Sequence, residues 1–300
     1  MDIVIPTRGR WDLKLTCDTL PRELRKNVWI VCPSTETNRH RDVRPWLGDR
    51  IVPQPDNAMT IAKKRAWIMR TWGCTSLPHR DRIVMLDDDL RFFVKREDDP
   101  KRLRTATEDD VILYFEELAK MLGPKYVHAG FGSRLFNNAK EPGWEIAKRM
   151  QYVLGYYLPI VRQECDLSGR IETREDMDYV LQLLRKGHPN AVCHTLVVEQ
   201  SNDYAARGGC SGQRTTASSD ADAERLAELH PGLVRVVQKN YKGSPRKEVV
   251  VRWEAALREG TERRGDASGR REARSEDHRS ASAAGRAVKD RSAPRSSRSR

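Results

Sequence analysis

The sequence lacks the features that mark membrane proteins, zinc ribbons and disulfide-stapled proteins. No apolar run approaches the roughly 20 residues that cross a bilayer, and no apolar leader precedes the first apolar stretch. The six cysteines are scattered and form no C-x-x-C pair, which disfavours a zinc ribbon or a disulfide framework. We therefore expect a protein of the reducing cytoplasm, with free thiols and no membrane partner.

Large apolar residues are also nearly absent from the end of the chain. Residues 261–300 contain 12 Lys or Arg and 6 Asp or Glu, and this excess of +6 is half of the formal net charge of +12. Such a segment cannot bury enough surface to offset its ordering entropy. We predict a folded domain over residues 1–258 and a disordered basic tail over residues 259–300. The tail is either a solubilising terminus or an attraction for nucleic-acid phosphate.

The most informative stretch is Ile83–Phe93, in which four apolar residues precede three consecutive aspartates. A short apolar run between charged residues is typical of a strand buried on both faces of a parallel sheet. Asp87, Asp88 and Asp89 then lie at the carboxyl edge of the sheet, where ligands bind in α/β folds. Adjacent carboxylates repel one another, so the cluster indicates either a site for Mg²⁺ or Mn²⁺ or an acidic turn bonded to nearby backbone N–H groups.

Apolar strands alternate with helical patterns along the chain, which predicts an α/β domain with a mostly parallel central sheet flanked by helices. Strands are expected near residues 3–5, 28–32, 51–52, 83–86, 126–129, 152–158, 190–195 and 248–253. Helices are expected near residues 11–24, 60–72, 107–122 and 173–186, with Asn57 or Thr60, Thr107 and Thr173 as candidate N-caps. The charged segment 91–104 and the glycine-rich segment 130–144 are expected to be loops.

Two basic segments are candidate contacts for phosphate or a nucleotide. They comprise Thr7, Arg8 and Arg10 after the first strand, and Lys63, Lys64 and Arg65 in the first turn of the second predicted helix. Guanidinium groups and hydroxyls hydrogen-bond to phosphate oxygens, and cations in a first helical turn oppose the helix dipole unless they face an anion. A solvated turn and a solvated helix face are the alternatives.

The helix expected from residue 173 carries a candidate general base. Glu175 and Asp176 lie in its first turn, where a carboxylate is well oriented to accept a proton from a ligand. Asp176 also follows Thr173 by three residues, the spacing of a capping box, in which the acidic side chain only caps the helix. Both roles stay open.

One histidine lies late in the predicted domain, on the strand expected at residues 190–195. His194 is either a packed residue or a metal ligand. The following loop contains Gly208, Gly209 and Gly212, and we expect it to be a mobile segment that closes over substrate.

The order of these motifs carries a resemblance to a known family. The sequence has IVIPTRGR at the start, VMLDDD at the end of the central strand, REDMDY at the later helix and a late histidine. Over residues 3–215 this order resembles the GT-A nucleotide-sugar glycosyltransferases. The resemblance implies a GT-A fold, a nucleotide-sugar donor, a Mn²⁺ or Mg²⁺ ion on its diphosphate, and a carboxylate base.

The resemblance assigns a role to each candidate residue. The nucleotide-sugar contacts would be Thr7, Arg8, Arg10 and Asp88, with Lys63 or Arg65 near the phosphates. The metal ligands would be Asp87, Asp89 and His194, with Asp88 also an alternative member of the aspartate pair. Asp176 would be the base and Glu175 its neighbour.

More narrowly, the pairing of IPTRGR with LDDD and ETREDMDY is similar to the TET-associated glycosyltransferases of bacteriophages. This similarity implies transfer of a sugar, from a UDP-sugar, to 5-hydroxymethylcytosine-type bases in DNA, within the host cytoplasm. A base in duplex DNA must be flipped out, and the aromatic residues available to stack on it are Tyr156, Tyr157, Trp144 and Phe131, each of which is equally suited to the core.

Three alternatives stay open from the residues alone. The same fold could act on a saccharide or protein acceptor, and a metal-dependent nucleotidyltransferase could use the same aspartates. A basic nucleic-acid-binding module could carry them as structural residues. Release of pyrophosphate would identify the second alternative, and DNA binding that survives the loss of Asp87 and Asp89 would identify the third.

Overall fold

The computed structural model describes residues 1–74, 80–135, 137–201, 215–241 and 244–266. The strands are β1 Asp2–Pro6, β2 Val28–Cys32, β3 Ile51–Pro53, β4 Arg82–Leu86, β5 Leu90–Lys95, β6 Leu103–Thr105, β7 His128–Ser133, β8 Trp144–Ile146, β9 Val153–Tyr157, β10 Asn190–Gln200, β11 Val234–Tyr241 and β12 Ser244–Val251. The helices are α1 Thr16–Thr19, α2 Arg22–Arg25, α3 Thr37–Val43, α4 Ile61–Thr71, α5 Glu108–Met121, α6 Leu158–Glu164, α7 Glu175–Leu184, α8 Thr216–Leu229 and α9, residues 253–266.

A ten-stranded sheet forms the centre of the described chain, in the order β3-β2-β1-β4-β9-β7-β10-β5-β6, with β8 paired to β10. The first four strands of this order pair in parallel, as do β7 and β10. β9 joins the two parallel groups through antiparallel ladders with β4 and β7. β11 and β12 form a separate antiparallel hairpin. Parallel strands connected through helices confirm the predicted α/β class.

The sheet divides the core into two apolar layers, because alternate residues of a strand face opposite sides. On β1, Val4 packs in the layer that includes residues of α4, α6 and α7, whereas Ile3 and Ile5 pack in the layer that includes residues of α5. All three side chains are at most 1% exposed. The strand is therefore buried on both faces, as expected for the interior of a parallel sheet.

The register of the central strands brings distant loops to one edge of the sheet. β1 and β4 are adjacent and parallel, with Val4 opposite Met85, so the loop after β1 and the aspartates after β4 leave the same edge. β9 runs antiparallel to β4, with Val153 opposite Leu86, so the chain enters β9 at that edge. β10 runs antiparallel to β5 and ends there at Gln200.

Two predictions of secondary structure are wrong for physical reasons in the sequence itself. The helix expected over residues 11–24 is two four-residue helices, α1 and α2, with Pro21 between them as the N-cap of the second. The charged segment 91–104 is not a loop, since β5 pairs with β10 and with β6. Phe92 and Val94 are buried while Arg91 is exposed, so the charged residues concealed an alternating strand pattern.

The glycine-rich segment 130–144 is also more regular than predicted, since β7 continues to Ser133 and β8 begins at Trp144. The glycines of β7 serve close packing. A Cβ on Gly130 would collide with the Val153 carbonyl oxygen, and one on Gly132 would lie 2.8 Å from Nδ1 of His194. Glycine within a strand here marks a close approach of neighbouring chains.

The end of the described chain continues past the predicted domain boundary. The strand expected at 248–253 is the second half of β12, and α9 then runs across the division between residues 258 and 259. The basic tail from residue 267, the segment with Gly208, Gly209 and Gly212, and Cys210 lie outside the described residues. The division into domain and tail therefore stays a prediction.

Within the described ranges, no helix combines the length and the apolar character needed to span a bilayer.

Candidate active site

A cavity of about 470 Å³ opens at the carboxyl edge of the sheet, between the loops after β1 and β4 and the start of α7. It brings together most of the predicted site residues, namely Thr7, Arg8, Arg10, Arg65, Asp87, Asp88, Asp89, Glu175 and Asp176. Lys63 and His194 do not line it. Residues from distant parts of the sequence therefore share one cavity because parallel strands end at one edge.

Asp88 holds the first loop against the central strand. Its Oδ2 accepts a 2.5 Å hydrogen bond from the Thr7 hydroxyl, and its Oδ1 accepts one of 2.5 Å from Arg10. The backbone N–H of Gly9 donates to both carboxylate oxygens of Glu36, at 2.9 and 3.0 Å. Asp88 is 6% exposed and both of its oxygens are engaged in orienting the loop. The triple aspartate thus resolves into Asp88, which orients the loop, and an outer pair that flanks it in the sequence, the half-buried Asp87 and the buried Asp89.

Asp87 and Asp89 form that outer pair, and they converge on one point. Arg65 donates to Oδ1 of Asp87, and Arg10 lies 3.1 Å from Oδ2 of Asp89. The other oxygen of each carboxylate faces the side-chain amide of Gln200, whose Nε2 lies 3.0 Å from Asp87 Oδ2 and 3.4 Å from Asp89 Oδ1. Two arginines therefore fix the carboxylates so that one oxygen of each points at a shared position.

The electrostatics of this position favour a cation. The pKa of Asp89 is raised to about 6, first by burial and then by the negative charges of Asp88 and Asp87, against the opposing effect of Arg10. Two neighbouring carboxylates disfavour the ionised form of a third. A positive charge that binds between them stabilises that ionised form. The convergent oxygens are hard donors of the type that Mg²⁺ and Mn²⁺ prefer.

The residues fit a metal bound by two carboxylates rather than by a closed protein cage. Across the described residues, no group of three or more His, Cys, Asp or Glu side chains is arranged to hold a metal ion. His194 lies in the interior of β10, where Nδ1 is 2.9 Å from Asn137 Oδ1 and Nε2 is 3.8 Å from Glu145. It precedes Gln200 by six residues, roughly 20 Å along a strand. Mg²⁺ commonly binds one or two carboxylates and completes its shell with substrate phosphates and water.

Arg65 connects the aspartate pair to the helix that carries the predicted base. Its guanidinium donates to Asp87 and, over 2.5 Å, to Oε1 of Glu175. Arg65 is 5% exposed and Glu175 is 2% exposed. The two carboxylates raise the pKa of Arg65 against the opposing effect of burial. Arg65, predicted as a phosphate contact, thus serves as a bridge between two parts of the site.

The start of α7 differs from the prediction. Arg174, not Thr173, is the N-cap, with no side-chain capping bond and with the left-handed angles φ 65° and ψ 20°. The capping box between Thr173 and Asp176 does not form. Thr173 instead donates its backbone N–H and its hydroxyl to Oδ2 of Asp222, both at 2.7 Å.

Without a capping role, Asp176 presents its carboxylate to the cavity. It is half-buried, and it makes no hydrogen bond or ion pair with any residue that the structure describes. An unengaged carboxylate in a polar cavity can accept a proton from a bound hydroxyl. Glu175 cannot do so without breaking its pairing with Arg65.

Lys64 and Gln200 line the cavity but were not among the residues assigned roles by the resemblance. Lys64 Nζ donates to the carbonyl oxygen of Thr7 over 2.8 Å, whereas Lys63 is exposed. Helical spacing could have placed Lys64 at the cavity, because it lies three residues after Ile61 and so shares a helix face with that residue, which also lines the cavity. Gln200 was missed because the strand expected at residues 190–195 continues to residue 200.

Among the residues that the structure describes, Tyr152 is the aromatic side chain that lines the cavity. Tyr156 and Phe131, two of the predicted stacking residues, are fully buried in the core. Tyr152 is half-buried, lines the cavity and has a positive φ of 66°, and its carbonyl oxygen accepts the N–H of Asp87 at 3.0 Å. Positive φ in a bulky residue is costly and concentrates at functional sites.

Comparisons with known proteins complete the description. A search of the curated proteins finds no match. Among solved structures, the crystal structure of S. aureus TarS 1-349 is similar with a TM-score of 0.42 and 10% identity; the match covers 76% of this chain and 65% of that chain. The chain thus spans about two thirds of the length of that structure. Residues 1–209 match the family described as TET-Associated Glycosyltransferase, and the chain belongs to that family.

Proposed function

We propose that this protein is a metal-dependent glycosyltransferase that moves a sugar from a UDP-sugar to a 5-hydroxymethylcytosine-type base in DNA. The observation that carries the proposal is the presence, in one cavity, of a convergent aspartate pair and an unengaged carboxylate. Family membership supports glycosyl transfer over the nucleotidyltransferase and non-catalytic alternatives.

The donor side of the proposal rests on Asp87, Asp89 and the cations beside them. A bound Mn²⁺ or Mg²⁺ ion would supply positive charge to the leaving nucleoside diphosphate. Arg8 is half-exposed on the first loop and Lys64 lies against the same loop, so both can contact diphosphate oxygens. Thr7 and Arg10 act indirectly, because Asp88 engages both and fixes the loop.

The acceptor side rests on Asp176. Its carboxylate is accessible from the cavity, so it can take the proton of a hydroxyl that attacks the sugar carbon. Arg65 holds the neighbouring Glu175, which keeps the first turn of α7 beside the aspartate pair. Glu175 is therefore a positioning residue, and Asp176 is the proton acceptor.

A nucleobase acceptor is supported by charge and by Tyr152. The formal net charge is +12, and the exposed Arg149 lines the cavity beside Tyr152. An aromatic ring at the cavity wall can stack on a base that has left the duplex. A saccharide acceptor would also use an aromatic wall, so the acceptor class needs a direct test.

The test is incubation with Mn²⁺, a panel of UDP-sugars and DNA containing 5-hydroxymethylcytosine, followed by nucleoside mass spectrometry. The proposal predicts a hexose- or N-acetylhexosamine-sized mass gain that disappears with EDTA. Metal-dependent hydrolysis of one UDP-sugar without a gain on DNA would contradict the acceptor and retain the donor. Absence of both, from folded protein, would contradict the proposed reaction.

A further inference from the structure

The helix that carries Asp176 is held by a part of the chain that lies outside the family match. The match ends at residue 209, whereas α8, the β11–β12 hairpin and α9 follow it. Residues from these later elements contact both ends of α7 and contribute Ser219 and Glu248 to the cavity wall. These contacts come from residues outside the matched region, so the family match does not cover them.

The first contact is the hydrogen-bonded pair of Thr173 and Asp222. One carboxylate oxygen of Asp222 accepts both the backbone N–H and the hydroxyl of Thr173, each at 2.7 Å. Thr173 is 8% exposed and Asp222 is half-buried, so these bonds are partly shielded from water. Charge-assisted bonds of this kind are stronger than neutral ones, and they tie the residue before the N-cap to α8.

The second contact is made by Arg174, the N-cap itself. Its guanidinium donates to the carbonyl oxygen of Ser219 at 2.7 Å and to that of Lys247 at 3.1 Å, and it lies 3.7 Å from Glu248. These partners come from α8 and from the hairpin. The left-handed backbone is unfavourable for a non-glycine residue, and the three contacts hold Arg174 in that conformation.

The third group of contacts holds the rest of α7. Asp178 is 1% exposed, and its Oδ1 lies 2.8 Å from Nε2 of His230, just after α8. Arg185 donates to the carbonyl oxygen of Leu229 at 3.0 Å. At the far end, Gly260 of α9 packs so closely on α7 that a Cβ there would collide with the Leu184 carbonyl oxygen. The later elements therefore pack on α7 along its length.

We infer that Asp222 and Arg174 are positioning residues that set the location of the Asp176 carboxylate, an inference that rests on the proposed role of Asp176 as base. The Asp176 side chain has no hydrogen bond of its own among the described residues, so its carboxylate is placed by the backbone of the first turn and by the charges of Arg65 and Arg174. That turn lies between two clamps. Arg65 holds Glu175 on the donor side, and Asp222 with the partners of Arg174 holds residues 173 and 174 on the other.

The inference predicts that loss of the Asp222 carboxylate lowers the turnover rate of protein that is still folded. Asp222→Ala removes the acceptor of Thr173, and we expect the transfer kcat to fall by about 10²-fold, the typical effect of a misplacement of about 1 Å, while the UDP-sugar KM is unchanged. Asp222→Asn keeps a side-chain oxygen and should recover most of the rate. Glu228→Gln, at an exposed residue of α8 paired with Arg225, is the matched control and should behave as the wild type.

A double-mutant cycle separates positioning from a general structural role. If Asp222 acts through Asp176, adding Asp222→Ala to Asp176→Asn lowers the residual rate no further. Full additivity of the two losses would overturn the inference. A wild-type rate in Asp176→Asn alone would instead contradict the proposed function, so the two failures are distinguishable.

Hydrogen exchange tests the clamp without any turnover. We expect the amides of residues 173–178 to exchange faster in Asp222→Ala and in Arg174→Gly, because glycine permits the left-handed backbone but lacks the guanidinium. A peptide from α5 should exchange at the wild-type rate in both variants. Unchanged exchange at residues 173–178 would overturn the inference whether or not a substrate is found.

Discussion

Nη1 of Arg65 donates a hydrogen bond of 2.5 Å to Oε1 of Glu175, and the same guanidinium donates to Asp87. One buried cation therefore joins the strand that ends in the aspartate cluster to the helix that carries Asp176. The positions of the Asp87 and Glu175 carboxylates therefore both depend on the Arg65 side chain, which couples the two halves of the site.

Replacement of Arg65 should destabilise the fold. Arg65→Met leaves the buried Glu175 and the part-buried Asp87 without their shared cation, and loss of one partner of a buried pair costs about 3–5 kcal/mol. The free energy of unfolding in urea measures this loss. Lys63→Met changes an exposed residue on the opposite face of α4 and should stay within about 0.5 kcal/mol of the wild type. Equal stability of both variants would contradict the bridging role.

Loss of the aspartate pair should abolish metal binding while the fold survives. With Asp87→Asn and Asp89→Asn combined, the Mn²⁺ affinity in the presence of UDP should fall by more than the roughly 10- to 100-fold caused by loss of an outer-shell partner. Electron paramagnetic resonance of free Mn²⁺ measures the affinity. Asp98→Asn, at an exposed aspartate paired with Arg96, is the control. Unaltered Mn²⁺ binding in the double variant would remove these residues from the metal site.

Tyr152 should affect the acceptor and not the donor. Stacking of one base on an aromatic ring contributes about 1–3 kcal/mol, so Tyr152→Ala should raise the KM for DNA by about 5- to 150-fold and leave the UDP-sugar KM unchanged. Tyr152→Phe keeps the ring and should resemble the wild type. If Tyr152→Ala binds DNA substrate normally, the ring has another role.

Acidification should weaken the fold through buried histidines. Burial lowers the pKa of His128 from 6.5 to about 3, and its Nε2 lies 3.1 Å from the carbonyl oxygen of His188. Below pH 6.5 the unfolded chain binds a proton that the folded chain excludes, so this contribution is complete above pH 6.5 and is lost as the pH falls. The loss is about 1.4 kcal/mol per pH unit.

The variant His128→Gln keeps an N–H donor and removes this titration. Its free energy of unfolding should therefore fall less steeply than that of the wild type between pH 6 and pH 4.5. Urea unfolding at several pH values measures both slopes, and parallel curves for the two proteins would contradict the assignment.

The elements that local sequence determines were predictable. Thr107 caps α5 and forms a capping box with Asp110, and Thr60 caps α4, because each signal lies within one helical turn. The Ile83–Phe93 pattern likewise placed the aspartates at a strand end, since an apolar run followed by charge specifies where a buried strand stops.

The features that tertiary contacts determine were not predictable. Thr173 has the local pattern of an N-cap, yet Asp222 takes both of its donors and Arg174 becomes the cap. The glycines of β7 led to the prediction of a loop. In the structure they lie in a strand, where β9 and His194 approach too closely to leave room for a side chain. In each case the deciding partner lies tens of residues away, where periodicity carries no information.

The central claim is that Asp176 accepts the proton of the acceptor hydroxyl. The most direct test is the single-turnover rate of sugar transfer to 5-hydroxymethylcytosine DNA by wild-type protein and by Asp176→Asn. Both rates are measured at saturating UDP-sugar and Mn²⁺, and equal melting temperatures of the two proteins show that the variant is folded. The account predicts a loss of about 10²- to 10⁴-fold, the usual contribution of a general base, with UDP binding retained. A rate equal to that of the wild type would contradict it.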